Sequence, residues 1–251
     1  MPLSKNKLKQ LRALQRKKIR QQEGLFLAEG VKIAEELLQQ TQVPIREVFA
    51  TENWLTSNAN LVNDFHGNVH AVTQAELKQI STLETANQVL LIAETPQFKL
   101  NKTAVENGLS LYLDDLQDPG NLGTILRIAD WFGITQVFLS KGCVEVYNSK
   151  VIQASMGAFL RVKTLEINLL DLKNQFSDLP IYGALMNGEN IFQMDLSPNG
   201  ILVIGNEGRG ISDVTQQLLT HKITIPKGQN GGAESLNAGV ATGILCAQFF
   251  R

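Results

Sequence analysis

Two short predicted strands near the carboxyl end of the chain constrain its fold most. The apolar run 201–204 ends at Gly205, a second predicted strand over residues 222–225 ends at Pro226, and each strand is followed by a glycine-rich loop. Short apolar runs that stop at glycine or proline are typical of buried strands. Because parallel strands leave a crevice where their carboxyl ends meet, the two loops predict a ligand-binding crevice. A helix is predicted from about Ser235 to the end of the chain.

The glycine pattern does not match the common phosphate-binding loops. Gly205, Gly208 and Gly210 give the order G-x-x-G-x-G rather than the dinucleotide order G-x-G-x-x-G, and no G-K-[ST] occurs. Glu207 lies inside this loop, where its carboxylate would repel a pyrophosphate and attract a cation. The predicted crevice therefore suits a ligand with a positive charge.

A third loop is predicted at the same edge of the sheet. The apolar run 109–113 is followed by the turn sequence Asp-Pro-Gly-Asn, in which Asn121 is a good N-cap for a helix that runs to Phe132. Arg127 falls within the first two turns, so Asn121 and Arg127 are predicted to face the same crevice. Two structural alternatives stay open: Asn121 only caps the helix, and Arg127 pairs with Asp130 three residues later.

The preceding part of the chain alternates predicted helices and strands. Residues 4–22 favour a helix because apolar residues recur there at helical spacing, and Thr73 with Glu76 predicts a capping box for a later helix. The alternation predicts a small α/β domain over residues 1–95, a polar linker over 96–107 and a second α/β domain over 108–251.

The distribution of charge is more informative than the net charge of −1. The first twenty residues contain many basic side chains and no acidic one. A basic segment on a near-neutral protein is typical of a surface that binds nucleic-acid phosphates, although a solvated helix face would look the same. The candidate RNA-binding residues are Lys5, Lys9, Arg12, Arg16, Lys17, Lys18 and Arg20.

Other residue types exclude several classes of protein. Cys143 and Cys246 are the two cysteines, with no C-x-x-C and no histidine nearby, which predicts neither a metal site nor a disulfide scaffold. No apolar run is long enough to cross a bilayer, and the basic N-terminus lacks the apolar core of a signal peptide. A cytoplasmic protein is therefore expected.

Four short motifs occur in a fixed order along the second half. Asn121-x-Gly123 is followed by Arg127 and a final Phe-Gly, then by Ala-Ser-Met-Gly-Ala at 154–158, Gly-Asn-Glu-Gly at 205–208 and Glu-Ser-Leu-Asn at 234–237. In this order they resemble the motifs of the SpoU (TrmH) branch of the SPOUT RNA methyltransferases. Residues 15–30 resemble the substrate-binding domain that precedes the catalytic domain in that family.

The resemblance implies a fold and an activity. The implied fold is an α/β domain with a mostly parallel sheet and a C-terminal deep trefoil knot, preceded by a small ribosomal-protein-like α/β domain. The implied activity is methylation of RNA ribose 2′-hydroxyls by a homodimer that uses S-adenosylmethionine and no metal. Ribosomal RNA is favoured over tRNA because the N-terminal domain extends the RNA footprint. The alternatives are methylation of tRNA, or a non-catalytic RNA-binding or ribosome-assembly protein on the same scaffold.

The resemblance also assigns residues. The implied catalytic set is Arg127, Asn121, Glu207, Ser235 and Asn237, and the implied cofactor-binding set is Gly205, Ile225 and Leu236 with Ile204 and Ala233 nearby. Arg127 corresponds to an arginine assigned to proton removal or to holding the reactive nucleotide. Because a guanidinium normally stays protonated, contact with the adjacent phosphate is the favoured role. A structural role for Ser235, as N-cap of the last helix, is an open alternative.

One departure from the family pattern concerns the last glycine-rich loop. The segment between Pro226 and Ser235 is longer than the usual spacing, and Lys227 stands where the family prefers an apolar residue. The change leaves every implied catalytic side chain in place but puts the local geometry of the cofactor loop in question.

Overall fold

The computed structural model describes residues 3–251, so the first two residues of the predicted 1–95 domain lie outside the described part. The chain divides into two compact units. The first contains Met1–Gln97 together with Tyr147–Leu160, and the second contains Phe98–Val146 together with Arg161–Arg251.

The first unit is built on a four-stranded sheet. Its helices before residue 97 are α1 (Lys5–Ala13), α2 (Lys17–Glu23), α3 (Val31–Gln39), α4 (Glu52–Ser57), α5 (Ala59–Asn63) and α6 (Gln74–Ile80), and its strands are β1 (Leu25–Glu29), β2 (Ile45–Ala50), β3 (Asn68–Ala71) and β4 (Val89–Glu94). The strand order is β1-β4-β2-β3. Strand β4 is antiparallel to β1 and β2, whereas β2 and β3 are parallel. Thr73 and Glu76 form the predicted capping box at the start of α6.

The helix predicted over residues 4–22 is two helices, because the chain turns at the end of α1. Leu11 and Leu14 are buried in the core of the first unit. Arg20 of α2 is also buried, and its Nη1 donates hydrogen bonds to the carbonyl oxygens of Leu14 at 3.0 Å and Gln15 at 2.8 Å. These carbonyls follow the end of α1, where they have no partner within a helix. Arg20 therefore stabilises the turn between the two helices.

The remaining elements follow in chain order. They are α7 (Lys102–Glu106), β5 (Leu109–Leu113), α8 (Pro119–Trp131), β6 (Gln136–Leu139), α9 (Ser149–Ser155), β7 (Lys163–Glu166), α10 (Leu169–Gln175), β8 (Ile181–Asn190), β9 (Gly200–Ile204), α11 (Asp213–Gln216), β10 (His221–Thr224) and α12 (Ala238–Phe249), with short 3-10 helices at Ala158–Leu160 and Ile191–Gln193. Helix α7 lies within the predicted linker, and its Val105 is fully buried in the core of the second unit.

The second unit contains a six-stranded, entirely parallel sheet. The order is β10-β8-β9-β5-β6-β7, and every neighbouring pair is parallel. Strands β5, β6 and β9 are buried at every position, as expected for a parallel sheet whose two faces are covered. This confirms the predicted α/β fold with a mostly parallel sheet. The trefoil knot implied by the resemblance stays a prediction.

Residues 147–160, which include α9 and the motif at 154–158, belong to the first unit. The ring of Tyr147 lies 4.7 Å from the ring of Phe26 in β1. Gln153 of α9 donates from Nε2 to the carbonyl oxygen of Glu29 at 2.7 Å. The chain therefore leaves the second unit after residue 146 and returns to it at residue 161.

Across residues 3–251, no helix combines the length and the apolar character needed to span a membrane.

Candidate functional site

A cavity of about 1190 Å³ lies in the second unit, at the edge where strands of the parallel sheet end. It is lined by the loops that follow β5, β9 and β10 and by residues of β8. The crevice expected from the glycine-rich loops is therefore present, and the loop after β5 contributes to it. A typical small-molecule pocket has a volume of about 300–1,000 Å³, so this cavity has room for more than one ligand group.

Asn121 lines the cavity but does not cap α8, so the predicted cap is wrong. The N-cap is Asp118, whose Oδ1 accepts a hydrogen bond from the backbone N–H of Asn121 at 2.7 Å. Pro119 then occupies the first helical position, where its missing N–H costs nothing. Asn121 consequently lies inside the first turn, and its side chain is available for other contacts.

Three of the motif residues are joined by side-chain hydrogen bonds. Asn237 donates from Nδ2 to Oδ1 of Asn121 at 2.7 Å, and Asn121 donates from Nδ2 to Oε1 of Glu207 at 3.0 Å. We call this the Asn237–Asn121–Glu207 chain. It links the loops after β10 and β9 to the first turn of α8, so that the first, third and last of the four ordered motifs meet at one place.

Glu207 also accepts hydrogen bonds from the backbone. The N–H groups of Gln117 and Asp118 donate to its two carboxylate oxygens at 3.2 and 3.0 Å. Partial desolvation raises the pKa of Glu207, but hydrogen bonds from Asn121 and from the backbone N–H groups of Glu207, Asp118 and Gln117 outweigh it and lower the pKa. Glu207 is therefore an ionised carboxylate with a fixed orientation at neutral pH.

Asn237 is the N-cap of α12, and the helix begins three residues later than the sequence suggested. Its Oδ1 accepts hydrogen bonds from the N–H groups of Gly239 at 2.9 Å and Val240 at 3.2 Å. Ser235 lies outside the helix, is exposed and lines the cavity. The alternative in which Ser235 caps α12 is therefore wrong, and its hydroxyl is free to contact a ligand.

Arg127 lies elsewhere. It is exposed on α8, is absent from the lining of the cavity and forms no hydrogen bond or ion pair with any residue of 3–251. Its proposed partner Asp130 instead forms a two-point ion pair with Arg161, at 2.9 Å from Nε and 2.8 Å from Nη2. Two predictions are therefore wrong within one chain. Asn121 and Arg127 do not face the same crevice, and Arg127 does not pair with Asp130.

The five residues implied for cofactor binding all line the cavity: Ile204, Gly205, Ile225, Ala233 and Leu236. Gly205 has a reason of its own to be glycine. A Cβ at this position would overlap the backbone of Gly210 and Ile211. The glycine is thus required by the folding of its own loop and not by close approach of a ligand alone.

The charges around the cavity favour a ligand with a positive group. The acidic lining residues are Asp118, Glu207 and Glu234, and the basic ones are Arg209 and Lys227. Arg209 forms an ion pair with Asp115, which leaves Lys227 as the cation without an ion-pair partner among the lining residues described. Clusters of His, Cys, Asp and Glu that could hold a metal ion are absent from residues 3–251. The cavity therefore combines apolar walls with a surplus of carboxylates.

Sequence reasoning missed four residues that hold the site together: Asp115, Gln117, Asp118 and Asn206. Asn206 accepts from the N–H groups of Gly208 and Arg209, both at 3.0 Å, and donates from Nδ2 to the carbonyl oxygen of Asp115 at 2.7 Å. The turn sequence before Asn121 contained one usable signal, since aspartate is as good an N-cap as asparagine. The contacts that join residues 115–118 to Asn206 and Glu207 span about ninety positions, and no local pattern indicates them.

In the first unit, four of the candidate RNA-binding residues line one groove. Lys5, Lys9 and Arg12 of α1, together with Arg16 in the turn that follows it, surround a groove of about 410 Å³, and we call these four residues the α1 cation row. Lys17 and Lys18 are exposed on α2. Arg20 is buried beneath the turn between α1 and α2, so its assignment to RNA binding is wrong.

Comparison with known proteins covers both units. The model of the SpoU rRNA Methylase family matches residues 108–247, and the model of the MRM3-like substrate binding domain matches residues 5–91. The 23S rRNA (guanosine(2553)-2'-O)-methyltransferase RlmP of Bacillus subtilis is 29% identical over 244 residues, which are 95% of this chain and 94% of that protein. An uncharacterized tRNA/rRNA methyltransferase of Synechocystis sp., slr1673, is 30% identical over 245 residues, 95% of this chain and 88% of that protein.

A solved structure has the same fold over nearly the whole length. The putative RNA methyltransferase of the TrmH family from Porphyromonas gingivalis superposes with a TM-score of 0.87 at 37% sequence identity. The superposition covers 98% of this chain and 98% of that one.

Proposed function

The chain belongs to the SpoU rRNA methylase family, and from this premise we propose that it transfers a methyl group from S-adenosylmethionine to a ribose 2′-hydroxyl of ribosomal RNA. The observation that best supports this activity is the Asn237–Asn121–Glu207 chain, which brings three ordered motifs together at one wall of a large cavity. A protein that only binds RNA has no need for such a hydrogen-bonded polar constellation. The tRNA alternative is not favoured, since RlmP, which this chain matches over almost its full length, is a 23S rRNA methyltransferase.

The lining of the cavity fits S-adenosylmethionine. Ile204, Ile225 and Leu236 line the cavity and would provide an apolar surface for the flat adenine ring of the cofactor. The surplus of carboxylates suits a sulfonium cation, and the glycine-rich loop lacks the pattern of a phosphate-binding loop. When bound, the cofactor supplies an electrophilic methyl group, and no metal is required for its transfer.

The Asn237–Asn121–Glu207 chain is suited to holding a reacting group in place. Methyl transfer needs the hydroxyl oxygen aligned with the methyl carbon, so orientation accounts for much of the rate. The carboxylate of Glu207 fixes the side chain of Asn121, which in turn is held by Asn237. Ser235 is exposed at the same cavity, where its hydroxyl can bind the substrate ribose. The proposed role of these residues is therefore to orient the nucleotide, whereas the cofactor supplies the electrophilic methyl group.

A homodimer would explain how Arg127, which does not line the cavity of its own chain, takes part in methyl transfer. Helix α12 is apolar on all sides, and Val240, Phe250 and the neighbouring Trp131 of α8 are exposed to 52%, 48% and 84%. Apolar surface of this size on two packed helices is typical of a subunit interface. Arg127 precedes Trp131 by one helical turn, so a second copy bound there would contact it. We propose that this interface forms and that Arg127 holds the phosphate next to the reactive hydroxyl.

The first unit supplies an RNA-binding surface. The α1 cation row has no ion-pair partner within residues 3–251, although Arg12 donates from Nε to the carbonyl oxygen of Gln79 at 2.8 Å. Lys5 and Lys9 are separated by one turn of α1, about 6 Å along its axis. Uncompensated cations at such short intervals suit the phosphates of a nucleic-acid backbone. The match of residues 5–91 to a substrate binding domain supports the same role.

The test combines cofactor binding with mapping of RNA. Isothermal titration with S-adenosylmethionine should show binding. Ribosomal RNA from a deletion strain, mapped by mass spectrometry, should lack one ribose methyl group. The wild-type gene should restore that group, and Glu207→Gln should not. A protein that binds no cofactor, or a deletion strain with unchanged ribosomal RNA methylation, would contradict the proposal and favour a non-catalytic RNA-binding protein.

A further inference from the structure

Asp115 has an unusual backbone conformation and contacts Asn206 and Arg209, two residues that line the cavity. It follows β5 and has a φ of 58°, in the left-handed region that non-glycine residues seldom adopt. Aspartate tolerates this region better than most residues, because its short side chain forms hydrogen bonds nearby. The surrounding structure must hold the residue there, and strained positions of this kind are concentrated at functional sites.

Four contacts fix Asp115. Its N–H donates to Oγ of Ser140 at 2.8 Å, and its carbonyl oxygen accepts from Nδ2 of Asn206 at 2.7 Å. Its carboxylate accepts from Nε2 of Gln117 at 2.9 Å and forms an ion pair with Arg209. The residue thus connects the loops that follow β5, β6 and β9.

The loop after β6 is shaped to admit this carboxylate. A Cβ at Gly142 would overlap Oδ1 of Asp115, so only glycine leaves space for it. The carbonyl oxygen of Gly142 accepts a second hydrogen bond from Nε2 of Gln117. Both hydrogens of this side-chain amide are therefore engaged, one by Asp115 and one by Gly142.

Gln117 transmits this arrangement to Glu207. Its side chain is anchored by Asp115 and Gly142, while its backbone N–H donates to Oε2 of Glu207. The next N–H, of Asp118, donates to Oε1 of the same carboxylate. The direction of the Glu207 carboxylate, and through it that of Asn121, depends on where residues 117 and 118 are held.

We propose that Asp115 is a positioning residue for methyl transfer, which acts through Gln117 to fix the carboxylate of Glu207. The inference rests on the proposed function, because it assigns a role within that reaction. Its contribution is geometric and adds little stability. The ion pair with Arg209 is solvent-exposed, with 75% and 31% of the two side chains accessible, and such pairs contribute little to folding.

Two substitutions separate the side chain from the backbone conformation. Asp115→Gly keeps the left-handed φ and removes the carboxylate, whereas Asp115→Asn keeps the φ and one oxygen acceptor for Gln117. Asp178→Gly is the matched control, since Asp178 is an exposed aspartate of the same unit that is remote from the cavity lining. All three proteins should unfold within about 4 °C of the wild type.

The expected result is a selective loss of kcat. With a full-length ribosomal RNA substrate, Asp115→Gly should lower kcat about 10- to 100-fold, as expected when a reacting group is displaced. KM for RNA and Kd for S-adenosylmethionine should change less than about threefold. Asp115→Asn should recover at least half of the loss on a logarithmic scale, and Asp178→Gly should match the wild type.

A second readout needs neither cofactor nor RNA. NMR titration of the Glu207 side-chain carboxyl in the free protein should give a higher pKa in Asp115→Gly, because the N–H of Gln117 is no longer held in place. Adding Gln117→Ala to Asp115→Gly should cause no further fall in kcat, since the two residues act in series.

Three results would overturn the inference. They are an unchanged kcat and an unchanged Glu207 titration in Asp115→Gly, no recovery of kcat in Asp115→Asn, or additive losses of kcat in the variant that combines Asp115→Gly with Gln117→Ala. A wild type without methyl transfer would instead contradict the proposed function. In that case the NMR titration still decides whether Asp115 positions Glu207.

Discussion

The side-chain amide of Asn237 donates a hydrogen bond to the side-chain oxygen of Asn121 at 2.7 Å, across 116 positions of sequence. The same Asn237 caps α12 through its Oδ1. One residue therefore starts the last helix and joins it to the candidate active site. Asn121 passes the connection on to Glu207, so each amide in the chain has a fixed donor and a fixed acceptor.

The double role of Asn237 can be separated by two substitutions. Asn237→Ala removes the cap and should lower the free energy of unfolding by about 1 kcal/mol. Asn237→Asp keeps an acceptor for the helix and should leave that free energy within about 0.5 kcal/mol of the wild type. Both remove the donor to Asn121 and should lower kcat. Urea unfolding and single-turnover methylation measure the two effects, and a fully active Asn237→Asp protein would argue against a functional role for this hydrogen bond.

Glu207 should give stability a defined pH dependence. Its hydrogen bonds lower its pKa in the folded protein below the ordinary value of 4.5. A carboxyl group of this kind stabilises the folded state at pH values above its unfolded pKa, and that contribution is lost as the pH falls through the lower folded pKa. The difference in unfolding free energy between wild type and Glu207→Gln should therefore be constant above about pH 5.5 and shrink below about pH 4.5. A difference that is the same at every pH would show that the carboxylate charge contributes nothing.

Arg127 and Arg161 provide a matched pair of arginines. Arg127 has no partner within residues 3–251, so Arg127→Ala should change the free energy of unfolding by less than about 0.5 kcal/mol while lowering kcat about 100-fold or more. Arg161 is paired with Asp130, and Arg161→Ala should cost up to about 1 kcal/mol of stability with kcat nearly unchanged. Thermal unfolding and steady-state kinetics of both variants test this. Equal activity losses in the two variants would contradict a specific role for Arg127.

The proposed interface can be tested at Trp131, whose side chain is 84% exposed in the single chain. Trp131→Glu places a charge on the exposed face of α8 that the second copy is proposed to cover, and should convert a dimer into a species with the mass of one chain. Val214→Glu is the control, because Val214 is a 73% exposed apolar residue on a different helix, α11. Size-exclusion chromatography with light scattering distinguishes the two states. A wild type that elutes as a monomer at assay concentration would refute the homodimer.

The α1 cation row should govern the salt dependence of RNA binding. Removing one cation that neutralises a phosphate should reduce the slope of log K against log salt by about 0.7–0.9, so Lys5→Ala combined with Lys9→Ala should reduce it by about 1.4–1.8. Lys32→Ala removes an exposed lysine of α3 in the same unit and should leave the slope unchanged. Filter binding over a range of salt concentrations provides the measurement. An unchanged slope in the double variant would show that RNA binds elsewhere.

Much of the fold could be predicted because its strongest signals are local. The buried strands β5 and β9 are predominantly apolar, and each stops at a polar or glycine-rich loop. The edge strands β7 and β10 and the carboxyl half of β8 are partly exposed and lack such a run, so their limits depend on pairing with neighbours. The helix predicted over 4–22 was interrupted because a buried Arg20 stabilises a turn, which no helical periodicity indicates.

The sequence by itself determined the family, the order of the motifs and the edge of the sheet at which they meet. These follow from residue types in short windows and from the rule that parallel strands end at one edge. Only the tertiary structure decided whether Asp118 or Asn121 caps α8, that Arg161 and not Arg127 pairs with Asp130, and that Asn237 reaches Asn121. The last two contacts join residues 31 and 116 positions apart. They depend on the order of strands in the sheet, and no local stretch of sequence indicates that order.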